Sequence, residues 1–369
     1  LTDHIAVEDR NGPRERTWRV RAKQVILATG AHERPIVMPN NDRPSVMLAS
    51  AVSTYLNRFR VKLSEKAVVF TNNDSAYAVA IDLRTSGVTD VTLVDARIEY
   101  SPLVERVTAV GVNVINACAV VNVIGKAQVL AVEIMSISAD GKSVSGAKQR
   151  IECDLLATSG GWNPAIHLFS QSGGKAIWSD DKACFETGRA VQNQISVGAA
   201  NASFALSNCL LEGSAAGVKA AKLAGFYSKE LVVASINTRD AELFDAVTLS
   251  PLWRVPNEGK PGHGPKAFVD LQNDVAVSDI FLAAREGFES IEHVKRYTAL
   301  GFGTDQGKMG NISGMAILAE ALGNNISDTG TTTFRPNYTP VTFGAIAGSE
   351  IGHTLSDPVR KTAIHSWHE

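Results

Sequence analysis

The sequence predicts an α/β protein built around a doubly wound parallel sheet, and three observations carry this prediction. The apolar run VILATG, Val25–Gly30, is typical of a buried strand that ends in a tight turn. A strand–helix–strand unit follows at residues 66–95, and a further apolar strand, Cys153–Thr158, ends in a glycine-rich turn. Parallel strands joined by helices are the repeating unit of such sheets, which bind ligands at the carboxyl ends of their strands.

Composition sets the class of protein. The 369 residues are 44% hydrophobic and 20% charged, with a formal charge of -2, and this length allows two or three compact units. The near-neutral charge gives no reason to expect nucleic acid or a membrane surface as partner, and no apolar run is long enough for a membrane span. The four scattered cysteines, without a CxxC pair, indicate buried thiols in a reducing compartment. We therefore expect a cytoplasmic protein without a metal site.

The predicted elements follow in order along the chain. Residues 1–24 alternate charged and apolar side chains around an Asn11-Gly12-Pro13 turn, as a hairpin does. Strands are then predicted at residues 25–30, 66–71, 91–95, 112–115, 129–135, 153–158 and 195–199. Helices are predicted at residues 49–59, 74–85 (with Asp74 as an acidic cap), 208–224, 279–286, 290–298 and 306–322. The proline- and glycine-rich residues 240–265 predict a linker, and we expect both ends of the sequence to be internal cuts in a longer chain.

Two turns are candidates for contacting a nucleotide. Ala28-Thr29-Gly30 lies at the carboxyl end of the first apolar strand, although a crossover turn without a ligand explains these residues equally well. Gly198-Ala199-Ala200-Asn201 lies at the end of a later strand and precedes a helix with Gly213, Gly217 and Ala220 on nearly one face. Such small residues allow a helix to approach a sheet or a cofactor closely.

The order of these elements resembles the flavoprotein reductases of the disulfide-reductase type, in which a nicotinamide-binding domain is inserted into a flavin-binding domain. The inserted unit departs from their pattern, because its first turn, Asn72–Tyr77, has no glycine to let the backbone approach a pyrophosphate. Asp74 also adds a negative charge where the phosphates would lie. Asp95 retains the position that can accept from a ribose hydroxyl, but a scaffold without nucleotide is the favoured interpretation of this unit.

The outer domain departs from the same pattern at one residue. Reductases of this type usually have Gly-Asp where this sequence has Gly198-Ala199, and an alanine cannot accept a hydrogen bond from a flavin ribityl chain. This substitution argues against FAD and leaves room for another dinucleotide such as NAD. The usual glycine fingerprint of the domain would lie before Leu1. The expected cofactor contacts here are Ala28, Thr29, Gly30, Gly198, Ala199 and Asn201.

A third candidate is the loop Tyr297–Lys308, YTALGFGTDQGK. It is not a phosphate loop of the GxxxxGK[ST] type, because the spacing differs and Met309 replaces the hydroxyl residue. One interpretation is a glycine turn between two helices. The other is an anion site, in which Thr304, Lys308 and the amide groups of the helix at 306–322 hold a flavin phosphate. The eight histidines form no HExxH pair and no GxSxG elbow is present, so no catalytic residue is predicted.

Several longer stretches are similar to one family over nearly the whole chain. They are RVRAKQVILATGAHERP at residues 19–35, FVDLQND at 268–274, VKRYT at 294–298, TTFRPNYTPVTFG at 332–344, DPVRKT at 357–362 and HSW at 365–367. The sequence thus resembles the α subunits of heterotetrameric sarcosine oxidases. The resemblance implies a fold of the two-dinucleotide-binding-domain, disulfide-reductase-like type, followed by a small helical domain and the start of an α+β aminomethyltransferase-like domain.

The resemblance also implies domain boundaries. It places an incomplete outer NAD domain at residues 1–62 and 156–228, and an inserted Rossmann-like domain at 63–155. A linker at 229–265, a helical domain at 266–330 and the start of a folate-binding domain at 331–369 follow.

The activity that the resemblance implies belongs to a complex. Sarcosine, O₂ and water become glycine, formaldehyde and H₂O₂, or methylenetetrahydrofolate when folate is present. FAD in a separate β subunit oxidises the amine, and FMN at the α–β interface, attached to the β subunit, passes electrons to oxygen. The α subunit binds NAD and carries tetrahydrofolate in its C-terminal domain, and γ and δ subunits complete the assembly.

Two alternatives remain open. The first is a subunit of a related opine or cyanide-forming amine dehydrogenase, whose helical domain carries cysteines for a [2Fe–2S] cluster. Residues 290–320 contain no cysteine, so they cannot ligate one. The second alternative is a non-catalytic scaffold whose dinucleotide folds hold partner subunits together.

Overall fold

The computed structural model describes residues 2–4, 14–226, 248–335, 339–356 and 360–369. The chain divides into two units, one of residues 24–335 and a smaller one formed by the segments before residue 24 and after residue 335. None of the helices in the described part of the chain has the length and apolar composition that a membrane crossing requires.

The strands and helices are bounded as follows. The strands are β1 Thr2–His4, β2 Glu15–Thr17, β3 Val25–Leu27, β4 Ala31–Glu33, β5 Val46–Leu48, β6 Lys66–Thr71, β7 Asp90–Asp95, β8 Asn113–Asn116, β9 Cys118–Gly125, β10 Val129–Ile137, β11 Val144–Glu152, β12 Leu155–Ser159, β13 Trp162–Pro164, β14 Ala176–Ser179, β15 Cys184–Thr187, β16 Gln194–Ser196, β17 Phe268–Asp270 and β18 Val275–Ala276. The helices are α1 Ala49–Phe59, α2 Ser75–Thr85, α3 Val104–Ala109, α4 His167–Gln171, α5 Leu206–Leu223, α6 Val277–Arg285, α7 Ile291–Thr298, α8 Asn311–Leu322, α9 Ile326–Thr329, α10 Phe343–Ala347 and α11 His365–His368. Short 3₁₀ segments span Gly198–Asn201 and Ser349–Ser356.

A five-stranded parallel sheet, in the order β5-β12-β6-β7-β8, forms the centre of the larger unit. Its strands are apolar runs because both faces are covered. Successive side chains of a strand point to opposite faces, so Val69 packs with α1–α3 whereas Phe70 packs on the other side. The strand–helix–strand unit predicted at residues 66–95 is confirmed.

The second face of this sheet is covered by an antiparallel sheet of three strands, β9, β10 and β11. Val132 and Ile134 of β10 join Phe70 and Leu156 in one buried cluster. Leu252 belongs to the same cluster. Residues 248–256, predicted as part of a linker, therefore pack against the inserted unit, while residues 240–247 lie outside the described residues.

The remaining strands of the larger unit form small sheets beside the central one. The strand β3 pairs in parallel with β16, and β4 pairs antiparallel with β13. The apolar run VILATG predicts burial, yet Val25 is 43% exposed and Ile26 39% exposed. The cause is that β16 is the single strand paired with β3 among the described residues.

The helical module, residues 268–329, packs around a third buried cluster that includes Val269, Ile280 and Leu318. Asn41, in the segment between β4 and β5, joins that segment to this module. Its side-chain amide donates to the carbonyl of Phe268 and its side-chain oxygen accepts from the Phe268 amide, both at 2.8 Å. The helix predicted at 306–322 begins only at Asn311. The preceding loop cannot be helical, since Gly301, Gly303, Gln306 and Gly307 all have positive φ.

The smaller unit contains the antiparallel pair of β1 and β2 and the short helix α10. The hydroxyl of Thr17 on β2 donates to the carbonyl of Ala345 at 2.6 Å. The hairpin predicted for residues 1–24 is confirmed in its paired strands. Its Asn11–Pro13 turn lies outside the described residues.

Candidate functional site

Three basic side chains from separate elements meet in the larger unit. They are His32 on β4, His167 at the first position of α4, and Lys308 in the loop before α8. The rings of His32 and His167 lie edge to face with their centroids 6.4 Å apart. Phe334 packs against His167, with 4.1 Å between ring centroids. Lys308 is recognisable in the sequence from its glycine-rich loop. The two histidines are not, because they are 135 positions apart and neither lies in a histidine motif. We call these three residues the basic cluster.

The electrostatics of the basic cluster disfavour further positive charge. Burial, followed by the charges of Lys308 and His32, lowers the pKa of His167 to about 4. Burial and then Lys308 likewise lower the pKa of His32, and burial lowers the pKa of Lys308 although Asp305 opposes it. The charge of Lys308 thus reaches both imidazoles, and each neutral imidazole keeps one N–H donor, so the three side chains together can hold an anion.

The loop that carries Lys308 is held by its own hydrogen bonds. The carboxylate of Asp270 accepts from the backbone amide of Gly301 at 2.8 Å and from that of Gln272 at 2.9 Å. The amides of Gly307 and Lys308 donate to Asp305, at 3.0 and 3.2 Å. These two amides are therefore committed within the loop and do not form the anion cradle predicted for a helix at 306–322. Thr304 is exposed on the same loop.

The two predicted nucleotide turns lie at one edge of a small parallel sheet. Pairing of Val25 with Gln194 and of Leu27 with Ser196 aligns β3 and β16, so the turn 28–30 and the turn 198–201 follow their carboxyl ends side by side. Gly30 has a φ of +73°, and no atom of the described residues lies within 4 Å of the position that a Cβ would take. The Thr29 hydroxyl donates to the carbonyl of Ala165 at 2.8 Å.

A glutamate of α5 closes the second turn. Glu212 accepts from the backbone amide of Gly198 at 2.8 Å and also accepts from the Ser203 hydroxyl. Asn201 accepts from the Thr187 hydroxyl, and Ala199 is half-buried. A carboxylate is thus present at this turn although position 199 is alanine, and it serves the backbone of the turn itself.

The edge of the five-stranded sheet, where the inserted unit would bind a nucleotide, holds a buried ion-pair network. The guanidinium of Arg97 lies 2.6 Å from Asp95 and 2.8 Å from Asp74. Tyr77 donates to Asp95 at 2.7 Å. Asp95 is fully buried and its oxygens accept from Arg97 and Tyr77, so it has a different role from the predicted ribose contact. The predicted capping of α2 by Asp74 is wrong, because the Asp74 side chain makes no capping bond.

Hydrogen bonds and ion pairs determine the protonation states of Asp74 and Tyr77 in this network. Burial alone would raise the pKa of Asp74. Hydrogen bonds from Ser101, Thr248 and Arg97 outweigh burial, and together with the charge of Arg97 they hold that pKa below its usual value. Burial, followed by the charge of Asp95 and the hydrogen bond to it, raises the pKa of the Tyr77 phenol. Asp74 therefore stays ionised and Tyr77 stays neutral near pH 7.

Arg34, two residues from His32, is a buried charge that no sequence pattern indicates. It is 1% exposed, and its guanidinium donates to the carbonyls of Gly160 and Ala183 and to the side chain of Asn163, at 2.7 to 2.9 Å. Burial lowers its pKa to about 10. The Trp253 ring centroid lies 4.5 Å from the guanidinium carbon. Arg34 thus holds the glycine turn after β12 in place.

Within the residues that the structure describes, no group of histidine, cysteine, aspartate or glutamate side chains is placed to bind a metal ion. The four cysteines are free thiols, with Cys153 and Cys184 buried and Cys118 and Cys209 half-buried. Burial raises the pKa of Cys184 to about 12, although the charge of Arg34 acts in the opposite direction.

Residues 264–349 match the family described as the sarcosine oxidase A3 domain. The α subunit of sarcosine oxidase from Corynebacterium sp. (strain P-1) is 42% identical over 96% of this chain, which spans 36% of that protein's length. One of the opine oxidase subunits of Rhizobium meliloti (strain 1021) is 25% identical over 89% of the chain and 77% of that protein.

Among solved structures, L-proline dehydrogenase from P. horikoshii aligns with a TM-score of 0.63 at 20% identity, over 86% of this chain and 57% of that one. This likeness supports the mixed α/β, dinucleotide-binding type of fold predicted from the sequence. That fold type is confirmed. The domain boundaries and the individual cofactor contacts stay predictions.

Proposed function

Since this chain is a homologue of the sarcosine oxidase α subunits, we propose that it is part of an oxidoreductase complex that oxidises the CH–NH bond of a secondary amine with O₂. In this proposal sarcosine, O₂ and water yield glycine, formaldehyde and H₂O₂, or methylenetetrahydrofolate with folate. FAD in a β subunit receives the electrons of the amine. The chain described here contributes cofactor-binding surface and no residue to amine oxidation.

The basic cluster is the observation that carries the proposal. An FMN at the interface with the β subunit would bring a phosphate dianion. Lys308 supplies a positive charge for it, and the neutral imidazoles of His32 and His167 supply N–H donors beside that charge. FMN, when bound, supplies one- and two-electron chemistry toward oxygen. The residues of this chain would bind and orient it, and the low pKa of His167 keeps that imidazole from acting as a proton donor near neutral pH.

The outer domain is proposed to hold NAD. Three observations support this assignment: the turns at 28–30 and 198–201 share one sheet edge, Gly30 has open space beside it, and position 199 lacks the acid that a flavin ribityl chain would use. Gly213 and Gly217 of α5 also have nothing within 4 Å of their Cβ positions among the described residues. A dinucleotide could therefore approach this side of α5.

The test uses the assembled complex. We expect denaturation of the purified wild-type complex to release NAD together with the FAD of the β subunit, and isolated α chain to release NAD without flavin. FAD released from the isolated α chain would contradict the proposal, and the absence of any nucleotide would support a scaffold.

The role of Lys308 is tested by substitution. Lys308→Ala removes one charge-assisted hydrogen bond to a phosphate, and we expect FMN retention to weaken about 10- to 100-fold. The matched control is Lys62→Ala, which removes an exposed lysine paired with Glu65 at 2.7 Å. FMN content equal to that of the control would exclude Lys308 from the FMN site.

A subunit of the opine oxidase type is the second candidate, and the similarity to the opine oxidase of Rhizobium meliloti favours it over unrelated classes. The two candidates differ in substrate. Turnover of sarcosine by the complex, with no turnover of an opine, would support the first, and the opposite result would support the second.

A further inference from the structure

The carboxyl edge of the five-stranded sheet is covered by a segment of the same chain. Open α/β sheets bind their ligands at this edge, in the crevice beyond the strand ends. Here the turn after β6 pairs with residues 248–250: Asn73 and Leu249 form an antiparallel bridge, and the Ser250 amide donates to the Asn72 carbonyl at 3.1 Å. The side-chain amide of Asn72 donates to the Ser250 carbonyl at 2.9 Å. We call residues Thr248–Ser250 the strap.

Side chains fix the strap in the same place. Thr248 donates to Asp74 through its hydroxyl at 2.7 Å and through its amide at 3.1 Å. Arg97 donates in turn to the Thr248 hydroxyl at 2.6 Å and to the Thr248 carbonyl at 3.1 Å. Asn72 and Asn73 are fully buried, and Asp74 is 2% exposed. The turn that a phosphate would approach is therefore covered.

We propose that the strap is the permanent occupant of the ligand position of the inserted unit, so that this unit is closed to nucleotides by the chain itself. In dinucleotide-binding folds, backbone amides at the start of the helix meet phosphate oxygens. Here the oxygens of Thr248 accept hydrogen bonds at this edge, and Arg97 is the donor. Two buried carboxylates, Asp74 and Asp95, are matched by Arg97 and would repel a pyrophosphate.

The segment that follows the strap also connects the inserted unit to the helical module. In the residues that continue the strap, Leu252 and Val255 are buried in the cluster that includes Phe70 and Val132 of the inserted unit. Between them, Arg254 forms a bidentate ion pair with Glu320 of α8. The Val255 amide donates to the Val37 carbonyl at 2.8 Å. An edge that binds a ligand in related folds thus becomes the attachment point between the inserted unit and the helical module.

Hydrogen exchange on the assembled complex tests the strap. Peptides covering Thr248–Ser250 and Asn72–Ser75 should be strongly protected, and millimolar NAD or NADP should change neither peptide. Any nucleotide-dependent change in exchange at either peptide would overturn the proposal, because it would show a ligand at this edge. Rapid exchange of the strap in the wild-type complex would overturn it as well.

A matched pair of variants completes the test. Thr248→Val keeps the shape of the side chain and removes the hydroxyl's hydrogen bonds to Asp74 and Arg97, while the backbone bonds of residue 248 to the same side chains remain. We expect exchange at the strap to rise about 10- to 100-fold. Ser250→Ala is the control, since the hydrogen bonds of Ser250 to Asn72 are made by its backbone atoms. Equal exchange in the two variants would contradict the anchoring role of Thr248. Bound NAD and FMN should be unchanged in both, which separates this test from that of the cofactor assignments.

Discussion

Arg97 lies with its guanidinium 2.6 Å from the carboxylate of Asp95, and both side chains are buried at an edge of the sheet where related folds bind ligands. The pair is separated by a single residue, so local chain geometry brings it together. Its second carboxylate, Asp74, comes from the preceding strand–helix turn. The buried charges of Arg97, Asp95 and Asp74 stabilise the fold only together, because removal of one leaves another buried charge without compensation.

Removal of Arg97 should be strongly destabilising. Arg97→Met leaves two buried carboxylates without a counter-charge, and we expect a loss of about 3–5 kcal/mol in the free energy of unfolding. Urea denaturation followed by circular dichroism would measure it. The control, Arg150→Met, breaks the exposed pair with Glu152 and should leave stability close to wild type. A loss for Arg97→Met as small as that of the control would contradict the network.

The central sheet shows how far sequence reasoning reaches. The helix Ala49–Phe59 and the strand Lys66–Thr71 have the predicted bounds, because their apolar patterns and their ends are local properties. The strand β9 is absent from the predicted elements. The prediction for α8 begins five residues early, because Gln306 and Gly307 have positive φ and belong to the preceding loop.

In the candidate sites, the sequence does not predict contacts between residues that are far apart in the chain. Lys308 is identifiable from its loop, but its neighbours His32 and His167 come from segments far away in the chain. Thr248 lies 174 residues from Asp74, and no local pattern connects the two. The sequence alone therefore does not predict which residues compensate the buried charge of Asp74 in the inserted unit. The lack of glycine in the turn Asn72–Tyr77 is the signal that the sequence offers.

Gly161, in the turn after β12, should not tolerate a side chain. Its φ is +103°, and a Cβ would lie 2.6 Å from a terminal nitrogen of the buried Arg34. We expect Gly161→Ala to cost about 1–3 kcal/mol from backbone strain, with a further loss as Arg34 moves. Gly146→Ala is the control, because its φ is +86° and, in the part of the chain that the structure describes, nothing lies within 4 Å of its Cβ position. Thermal denaturation of both should show the larger loss at Gly161, and equal losses would contradict the contact.

The cysteines should differ in reactivity. The thiolate is the nucleophile, and burial raises the pKa of Cys153 and Cys184 to about 12, so about one thiol in 10,000 is ionised at pH 8. Cys209 is half-buried, with its sulfur 3.0 Å from the Ser203 carbonyl. Iodoacetamide at pH 8 should therefore modify Cys209 well before Cys184, as measured by peptide mass spectrometry. Denatured chain provides the control, where all four should react alike; equal rates in the folded chain would contradict the predicted order.

The buried imidazole of His167 should make the protein sensitive to acid. Its pKa is about 4 in the folded chain and 6.5 in the unfolded one, so between these values the unfolded chain binds the additional proton. Stability contributed by the neutral imidazole is therefore complete above pH 6.5 and is lost as the pH falls toward 4. His167→Gln cannot be protonated, and its melting temperature should fall less than that of wild type between about pH 7.5 and pH 4.5. Above about pH 7 the two proteins should respond to pH in parallel, which serves as an internal control. A wild-type and a variant profile that fall together below pH 6.5 would show that His167 is not the group that the folded chain keeps neutral.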